Sequence, residues 1–196
     1  MKIISFEGIE GVGKSTQIEL LKNFLEKNSK SVEVFREPGS TLSGEKIRDI
    51  LLDDQYELSS KTELLLMFSA RSELVNKKIN NSTADYLLLD RFFDASLAYQ
   101  GYGRNLSIEL INKLVDFIDC PLPDLSFLID ISVEEGFARK INDKIDRIES
   151  SGYDFFNKVR NGYLEIAKNN EDRFIIINGS KTVDEIHNNI IQNIDI

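Results

Sequence analysis

Apolar residues along the chain form short continuous runs that alternate with longer stretches of helical period. Tyr86–Asp90 is an almost wholly apolar run, which is typical of a strand at the centre of a buried parallel sheet. The stretch from 15 to 28 instead repeats Ile18, Leu21 and Leu25 on one face, as an amphipathic helix does. The pattern therefore predicts strands and helices in alternation.

The strands and helices predicted in this way cover most of the chain. The predicted strands are Ile3–Glu7, Val32–Phe35, Tyr86–Asp90, Leu125–Ile131 and Arg173–Asn178. The predicted helices are Ser15–Asn28, Gly44–Leu52, Ser59–Lys78, Ser107–Phe117, Val133–Ile141, Tyr153–Lys168 and Val183–Ile194. Strands joined by helical crossovers indicate an α/β fold, here a five-stranded parallel sheet flanked by helices. In such a sheet, ligands bind at the carboxyl ends of the strands.

Length and composition limit the kind of protein. A chain of 196 residues is most simply one domain, 1–196. It has no apolar run of about 18 residues, so no membrane span is expected. The N-terminus enters a strand directly, without the basic and apolar regions of a signal peptide. We therefore expect a cytoplasmic protein.

The charged and metal-binding residues exclude two further classes. The net charge of −9 and the pI near 4.8 argue against a nucleic-acid-binding protein, since such proteins need cations for the phosphate backbone. Cys120 and His187 are the single cysteine and histidine of the chain. A single cysteine excludes an internal disulfide, and one cysteine with one histidine argues against a zinc cluster of the usual type.

One motif carries most of the chemical information. Gly8–Ser15 fits G-x-x-x-x-G-K-[ST], the phosphate-binding P-loop, with a predicted strand before it and a predicted helix after it. This context disfavours the alternative of a glycine-rich turn that only caps a helix. The residues expected to bind the nucleotide are Gly8, Ile9, Glu10, Gly11, Val12, Gly13, Lys14, Ser15 and Thr16. Lys14 would reach the β- and γ-phosphates, and the Ser15 hydroxyl would bind Mg²⁺.

A second pair of polar residues follows the central strand. Asp90 ends the apolar run, as does the Walker-B acid that helps to hold Mg²⁺. Its alternative role is to cap the following turn. Arg91 comes next, and its guanidinium can bind a phosphate and offset charge on the transferred phosphoryl group.

Together these motifs resemble those of the bacterial thymidylate kinases. The matching runs are Phe6–Thr16, Arg36–Gly39, Leu66–Arg71, Asp90–Phe92, Ala98–Gly101 and Asp146–Glu149, in the order and spacing of that family. The resemblance implies a nucleoside monophosphate kinase architecture with a mobile lid, approximately 139–150. It also implies transfer of the γ-phosphate of MgATP to dTMP in dTTP biosynthesis, by direct in-line attack, and a homodimer.

The resemblance assigns roles to particular residues. Arg36 and Arg91 would hold the dTMP phosphate, Phe68 would stack on thymine, and Arg71 would donate to a thymine carbonyl. Glu10 would contact the 3′-hydroxyl. The other positions that match the acceptor site are Arg48, Ser96, Tyr99 and Gln100, with Glu149 facing the acceptor or Mg²⁺.

The lid is expected to supply a cation to the ATP phosphates. Arg139 and Arg147 are the candidates, whereas Lys140 and Lys144 could equally belong to a solvated, charged helix end. Such a cation can close over the phosphates and exclude water.

Rival interpretations remain at this point. By its position in an apolar helical stretch alone, Phe68 would be an ordinary core residue. The nearest alternative function is a P-loop kinase for another nucleoside monophosphate or a deoxynucleoside. A GTPase-like switch or a non-catalytic nucleotide-binding module is disfavoured, because the guanine-reading tetrapeptide Asn-Lys-x-Asp does not occur.

Overall fold

A computed structural model describes residues 1–140 and 146–194. The strands are β1 Lys2–Glu7, β2 Val32–Arg36, β3 Tyr86–Asp90, β4 Leu125–Asp130 and β5 Phe174–Asn178. The helices are α1 Lys14–Lys27, α2 Leu42–Leu52, α3 Ser60–Lys77, α4 Phe93–Ser96, α5 Ile108–Phe117, α6 Val133–Arg139, α7 Tyr153–Lys168 and α8 Val183–Gln192. A π-helical turn, Leu97–Gly103, follows α4, and 3₁₀ turns lie at Ile79–Asn81 and Glu149–Ser151.

All strand pairs are parallel, and the spatial order is β2-β3-β1-β4-β5. This confirms the predicted five-stranded parallel sheet with flanking helices. Strands β2 and β3 lie on one side of β1, and the later strands β4 and β5 lie on the other side. The order therefore reverses next to β1, and the register pairs Phe6 with both Asp90 and Phe127. Such a reversal leaves a crevice at the carboxyl ends of the strands, where ligands bind.

The core lies around the three central strands. β1, β3 and β4 are buried along most of their length, whereas β2 and β5 at the edges alternate between covered and exposed positions. Helix α1 packs against β1, β2 and β3 and contacts α8, while α7 packs against β4, β5 and the π-helical turn. Helices on both faces explain why the central strands are continuous apolar runs.

Side-chain caps set several helix starts. Ser59, Ser107 and Ser132 each accept a hydrogen bond from a backbone amide in the first turn of the helix that follows. Thr182 and Glu185 form a reciprocal capping box at the start of α8. These caps explain why the predicted helices and the observed ones mostly begin within one or two residues of each other.

The region Phe93–Gly103 is helical although the sequence analysis assigned no element to it. Its apolar residues have no clear period, and it contains Gly101 and Gly103. A Cβ at Gly103 would lie 2.6 Å from the Phe155 ring of α7, so close packing on α7 shapes this turn. The predicted end of α6 at Ile141 lies outside the described residues. Within the two described ranges, no helix has the length and apolar character required to cross a bilayer.

Candidate active site

The phosphate-binding loop connects β1 to α1. Gly8, Gly11 and Gly13 have φ values of 133°, 74° and 92°, which side chains other than glycine rarely adopt. A Cβ at Gly8 would also lie 2.5 Å from the carbonyl oxygen of Ile129. The loop therefore needs glycine both for its backbone conformation and for its close approach to β4.

Lys14 is the first residue of α1 and is buried. Its Nζ donates to the carbonyl oxygens of Gly8 and Ile9, at 3.2 and 2.8 Å, so the side chain folds back over the loop. Burial, together with the charge of Arg91, lowers the pKa of Lys14 to about 8. Lys14 also lines the cavity, so its ammonium group lies at the boundary between the phosphate-binding loop and the cavity.

Ser15 and Asp90 meet across the same edge of the sheet. The Ser15 Oγ donates to Asp90 Oδ2 at 3.1 Å, because β3 ends beside the start of α1. A hydroxyl and a carboxylate are the oxygen ligands that Mg²⁺ takes, usually together with phosphate oxygens and water. In residues 1–140 and 146–194 there is no cluster of three or more His, Cys, Asp or Glu suited to a metal. Two oxygen ligands are fewer than Mg²⁺ requires, so this pair fits an ion whose other ligands come from phosphate oxygens and water.

Arg91 has a strained backbone and a fully engaged side chain. Its φ is 67°, in the left-handed region that costs energy for a non-glycine residue. The Nη1 donates to the Gly8 carbonyl at 2.8 Å and to the Tyr163 hydroxyl oxygen at 3.0 Å. The amide of the next residue, Phe92, donates to Oε1 of the buried Glu7 at 2.8 Å. These contacts hold the guanidinium against the phosphate-binding loop.

Glu10 lies between the phosphate loop and the rest of the cavity. Its Oε1 accepts from Arg91 Nη2 at 2.7 Å and from the Tyr99 hydroxyl at 3.2 Å. Burial would raise the pKa of Glu10, but the charges of Arg91, Lys14 and Lys140 outweigh it and lower the pKa to about 2. Glu10 is therefore an ionised acceptor at any physiological pH.

Arg71 of α3 is the centre of the opposite end of the cavity. It is almost fully buried, and its Nε donates to Glu37 Oε2 at 2.7 Å. Its Nη1 donates to Ser96 Oγ at 3.0 Å, and its Nη2 to the Phe92 carbonyl at 3.3 Å. Glu37 follows β2 and Ser96 ends α4, so three separate segments are joined here.

Two neighbouring residues of α3 differ in their exposure to the cavity. Phe68, predicted to stack on the base, is buried under the guanidinium of Arg71, 4.7 Å from ring centroid to Cζ. It does not line the cavity, whereas Met67 does. The burial of Phe68 fits the core role that was weighed for it, and Met67 is the apolar residue of the pair that lines the cavity. The stacking of Phe68 on the base stays a prediction.

Arg36 and Arg48 lie on the outer wall of the cavity. Arg36 ends β2, and its Nη2 pairs with Glu45 Oε2 at 2.9 Å. Arg48 of α2 donates from Nη1 to the Pro38 carbonyl at 3.0 Å. Both residues line the cavity. Their predicted roles, for Arg36 in holding the acceptor phosphate and for Arg48 in the acceptor site, stay predictions.

The predicted lid is only partly described, because residues 141–145, with Lys144, lie outside the described ranges. Arg139 lines the cavity and donates to the Gly179 carbonyl at 3.0 Å, and Lys140 pairs with Glu149. Arg147 instead donates to the Leu51 carbonyl and to Glu63, both at 2.8 Å. It is not among the lining residues. Arg139 therefore lines the cavity and Arg147 does not, and the contact of either residue with the ATP phosphates stays a prediction.

These elements enclose one cavity of about 560 Å³, a size typical of small-molecule sites. It extends from the phosphate loop to the π-helical turn. The predicted residues that line it are Glu10, Gly11, Gly13, Lys14, Ser15, Thr16, Arg36, Arg48, Arg71, Asp90, Arg91, Ser96, Tyr99, Gln100, Arg139 and Glu149. Gly8 shapes the loop from behind, and Ile9 and Val12 bury their side chains in the core.

Several functional candidates were missed by the sequence analysis. Glu37 and Glu63 are buried acids that pair with arginines. The buried Glu7 accepts from the Phe92 amide and from Tyr163, which supports Arg91 from α7. The run Arg36–Gly39 drew attention to Glu37 without giving it a role. For Glu63 no signal existed, because an acid in the first turn of a helix is common for reasons of helix stability alone.

The fold and the cavity define the class of P-loop nucleoside monophosphate kinases. A phosphate-binding loop faces a second, arginine-lined compartment across one cavity, as transfer between two nucleotides requires.

The comparisons with known proteins identify the family within this class. The family model for thymidylate kinase matches residues 6–190. Thymidylate kinase from Kosmotoga olearia is 44% identical over 96% of this chain and 93% of its own length. That from Chlorobaculum tepidum is 40% identical over 98% and 96%. A crystal structure of thymidylate kinase from Ehrlichia chaffeensis superposes with a TM-score of 0.78 at 33% identity, and covers 97% of this chain and 96% of its own.

The chain therefore belongs to the thymidylate kinase family, which confirms the resemblance seen in its motifs. It is an enzyme, a kinase of nucleotide biosynthesis, and ATP is the phosphoryl donor of this family.

Proposed function

We propose that this enzyme transfers the γ-phosphoryl group of MgATP to dTMP and releases dTDP and ADP. The observation that carries the proposal is the continuity of the cavity. The same space is lined by Lys14 at one end and by Arg71, Ser96 and Gln100 at the other. Donor phosphates and acceptor base can therefore be bound at the same time, on either side of Glu10 and Arg91.

The phosphate loop is the donor end. Lys14 and the loop amides bind the β- and γ-phosphates, helped by the partial positive charge at the start of α1. Ser15 and Asp90 would hold Mg²⁺, which, when bound, screens the charge of the phosphates and orients them. Arg139, next to Gly179, approaches from the side of α6.

The arginine-lined compartment is the acceptor end. Arg36 and Arg48 bind the dTMP phosphate from the outer wall, and Arg91 reaches it from the phosphate loop. Guanidinium groups suit this task because they bind phosphate oxygens in a bidentate way. Arg71, Ser96 and Gln100 bind the edge of the base, and Met67 packs against it.

The sugar is recognised between these two ends. The ionised carboxylate of Glu10 accepts a hydrogen bond from the 3′-hydroxyl, and Arg91 and Tyr99 hold the carboxylate in place. The Tyr99 ring lies beside the Arg91 guanidinium, 4.9 Å from Cζ to ring centroid. A ring in that position leaves little room for a 2′-hydroxyl and favours deoxyribose.

The reaction is an in-line displacement at phosphorus. An oxygen of the dTMP phosphate forms a bond to the γ-phosphorus while the bond from that phosphorus to the bridging oxygen of ADP breaks. The acceptor oxygen is already ionised near neutral pH, so no general base is required. Lys14, Arg91 and Arg139 offset the charge that spreads over the transferred group.

A homodimer is part of the proposal. Leu65 of α3 and Leu110 and Phe117 of α5 are exposed apolar residues, and both helices contact the π-helical turn. We propose that a second copy of the chain covers these side chains. Sedimentation of the wild type and of Phe117→Asp tests it. A cytoplasmic location and the absence of nucleic-acid binding remain predictions from charge and composition.

The test of the proposed function is a coupled assay of ADP release. MgATP is supplied with dTMP, dUMP, dCMP, dGMP, AMP or thymidine at equal concentration. Turnover chiefly with dTMP is the expected result. A preference for another monophosphate would overturn the roles given to Arg71 and Gln100, and no transfer to any acceptor would overturn the proposed activity itself.

A further inference from the structure

Glu63 is a buried carboxylate that belongs to no part of the mechanism above. It lies in the first turn of α3, 1% exposed. A buried charge is tolerated only when it is paired and hydrogen-bonded. Glu63 satisfies this condition with three side chains that come from two other segments.

Two of these partners are cations. Arg147 Nη2 donates to Glu63 Oε2 at 2.8 Å, and Arg104 Nη2 donates to the same oxygen at 3.3 Å. Burial would raise the pKa of Glu63, but the hydrogen bond from Gln100 and the two arginines lower it below its usual value. Glu63 is therefore a carboxylate, which can accept hydrogen bonds and cannot donate them.

The third partner lines the cavity. Gln100 donates from Nε2 to Glu63 Oε1 at 3.0 Å, and its side chain forms part of the wall of the acceptor compartment. Rotation of a side-chain amide by half a turn exchanges the positions of its oxygen and its nitrogen. This rotation costs little unless a neighbouring group can only accept, or can only donate, a hydrogen bond. Glu63 distinguishes them, because it can only accept. The Gln100 nitrogen must face Glu63, so the carbonyl oxygen is the atom left for a ligand.

We infer that Glu63 is a positioning residue that fixes the orientation of the Gln100 amide and thereby selects the acceptor base. With its oxygen towards the base, Gln100 favours a pyrimidine that offers a ring N–H, as thymine does. It disfavours one that offers an unprotonated ring nitrogen, as cytosine does. Arg147 and Arg104 act behind it by keeping Glu63 ionised. The inference rests on the proposed function, since it assumes that the base lies at Gln100.

Glu63→Gln tests this directly. A glutamine at this position can donate as well as accept, so Gln100 can adopt either orientation. We expect the ratio of kcat/KM for dTMP to that for dCMP to fall about tenfold, the effect of one mismatched hydrogen bond, with KM for ATP changed less than about twofold. Glu73→Gln is the matched control, because Glu73 lies on the same helix and pairs with Lys77 outside the cavity.

The effect must also depend on Gln100. In a Gln100→Leu background, Glu63→Gln should leave the dTMP to dCMP ratio unchanged. An unchanged ratio in folded Glu63→Gln would overturn the inference, as would an undiminished effect in the Gln100→Leu background. If Glu63→Gln does not fold, Glu63→Asp, whose shorter carboxylate cannot reach Gln100, is expected to lower the same ratio and decides in the same way. Failure of wild-type enzyme to phosphorylate dTMP would instead contradict the proposed function.

Discussion

At the phosphate end of the cavity, the backbone amides come from one continuous stretch, Gly8–Ser15, whereas the base end is formed by side chains from separate parts of the chain. At the phosphate end the hydrogen-bond donors are backbone amides. Their positions are set by strand β1, the glycines of the loop and the start of helix α1. At the base end Arg71 is held by Glu37 and Ser96, and Gln100 by Glu63. The first end is thus specified locally, and the second by a buried ion pair and buried hydrogen bonds between residues far apart in the sequence.

Because of this difference, substitutions at the two ends of the cavity should have different effects. The loss of a side chain at the phosphate end should impair the reaction while the fold survives, because the backbone carries the architecture. The loss of a partner at the base end should also destabilise the fold, because it leaves a buried charge alone. The predictions below test this contrast, starting with the largest expected effect.

Replacement of Lys14 by methionine should affect catalysis and little else. Its ammonium group is the buried cation of the phosphate loop, and removal of one charge-stabilising donor from an active site costs about 10²–10³ in kcat. Steady-state kinetics with MgATP and dTMP measures the loss. Lys22→Met, an exposed lysine on the same helix, is the control, and a Lys14→Met enzyme within tenfold of wild type would contradict this role.

Arg71→Ala should cost both stability and acceptor binding. It leaves the buried Glu37 without its cation, and such a loss costs about 3–5 kcal/mol of folding free energy. Urea unfolding followed by circular dichroism measures it. The double variant Arg71→Met with Glu37→Gln should recover part of the stability, since no unpaired charge remains. Equal stability of Arg71→Ala and wild type would show that the base end is not held by this pair.

The pH dependence of kcat/KM for ATP should report Lys14. Because burial lowers its pKa to about 8, the cation is present below that pH and is lost above it. We expect kcat/KM to fall with rising pH above about 8, approaching tenfold per unit. Glu10, with its pKa near 2, stays ionised throughout and adds no step. Burial and the charge of Asp94 raise the pKa of Glu7 to about 8 as well, so the step should disappear in Lys14→Arg if it belongs to Lys14. A flat profile between pH 7 and 10 would contradict the assignment to Lys14.

Met67 and Phe68 separate contact with the base from packing of the core. Met67→Ala should raise KM for dTMP about fivefold, through the loss of roughly 1 kcal/mol of apolar contact, with little effect on stability. Phe68→Leu should lower the free energy of unfolding by about 1 kcal/mol and leave KM for dTMP unchanged. The reverse pattern would restore Phe68 as the residue that stacks on the base.

Much of the fold was predictable from the sequence because the signals are local. Apolar runs gave the strands, and helical periodicity with capping residues gave the longer helices within a few residues. The π-helical turn was not predictable. It contains two glycines and follows the surface of α7, as the close approach of Gly103 to Phe155 shows, so its shape depends on a partner far away in the chain.

The residues of the candidate site also differ in whether the sequence could predict their positions. The phosphate-binding motif predicted Lys14 and Ser15, and the end of an apolar run predicted Asp90, at one edge of the sheet. All three line the same cavity, and Ser15 is hydrogen-bonded to Asp90. Arg147 was predicted to approach the phosphates, but in the structure its guanidinium donates to Glu63. The sequence around a single arginine does not show with which of several carboxylates it will pair.

By itself, the sequence determined the order of strands and helices, the phosphate-binding loop and the acid that follows the central strand. These depend on neighbouring residues: glycines for backbone conformation, periodicity for burial, and strand ends for the position of ligands. Only the tertiary structure decided that Met67 and not Phe68 lines the cavity, and that Glu63 holds Gln100. A one-residue step along a helix turns a side chain by about 100°, and burial of a charge depends on which segments pack around it. Neither can be read from residues adjacent in the chain.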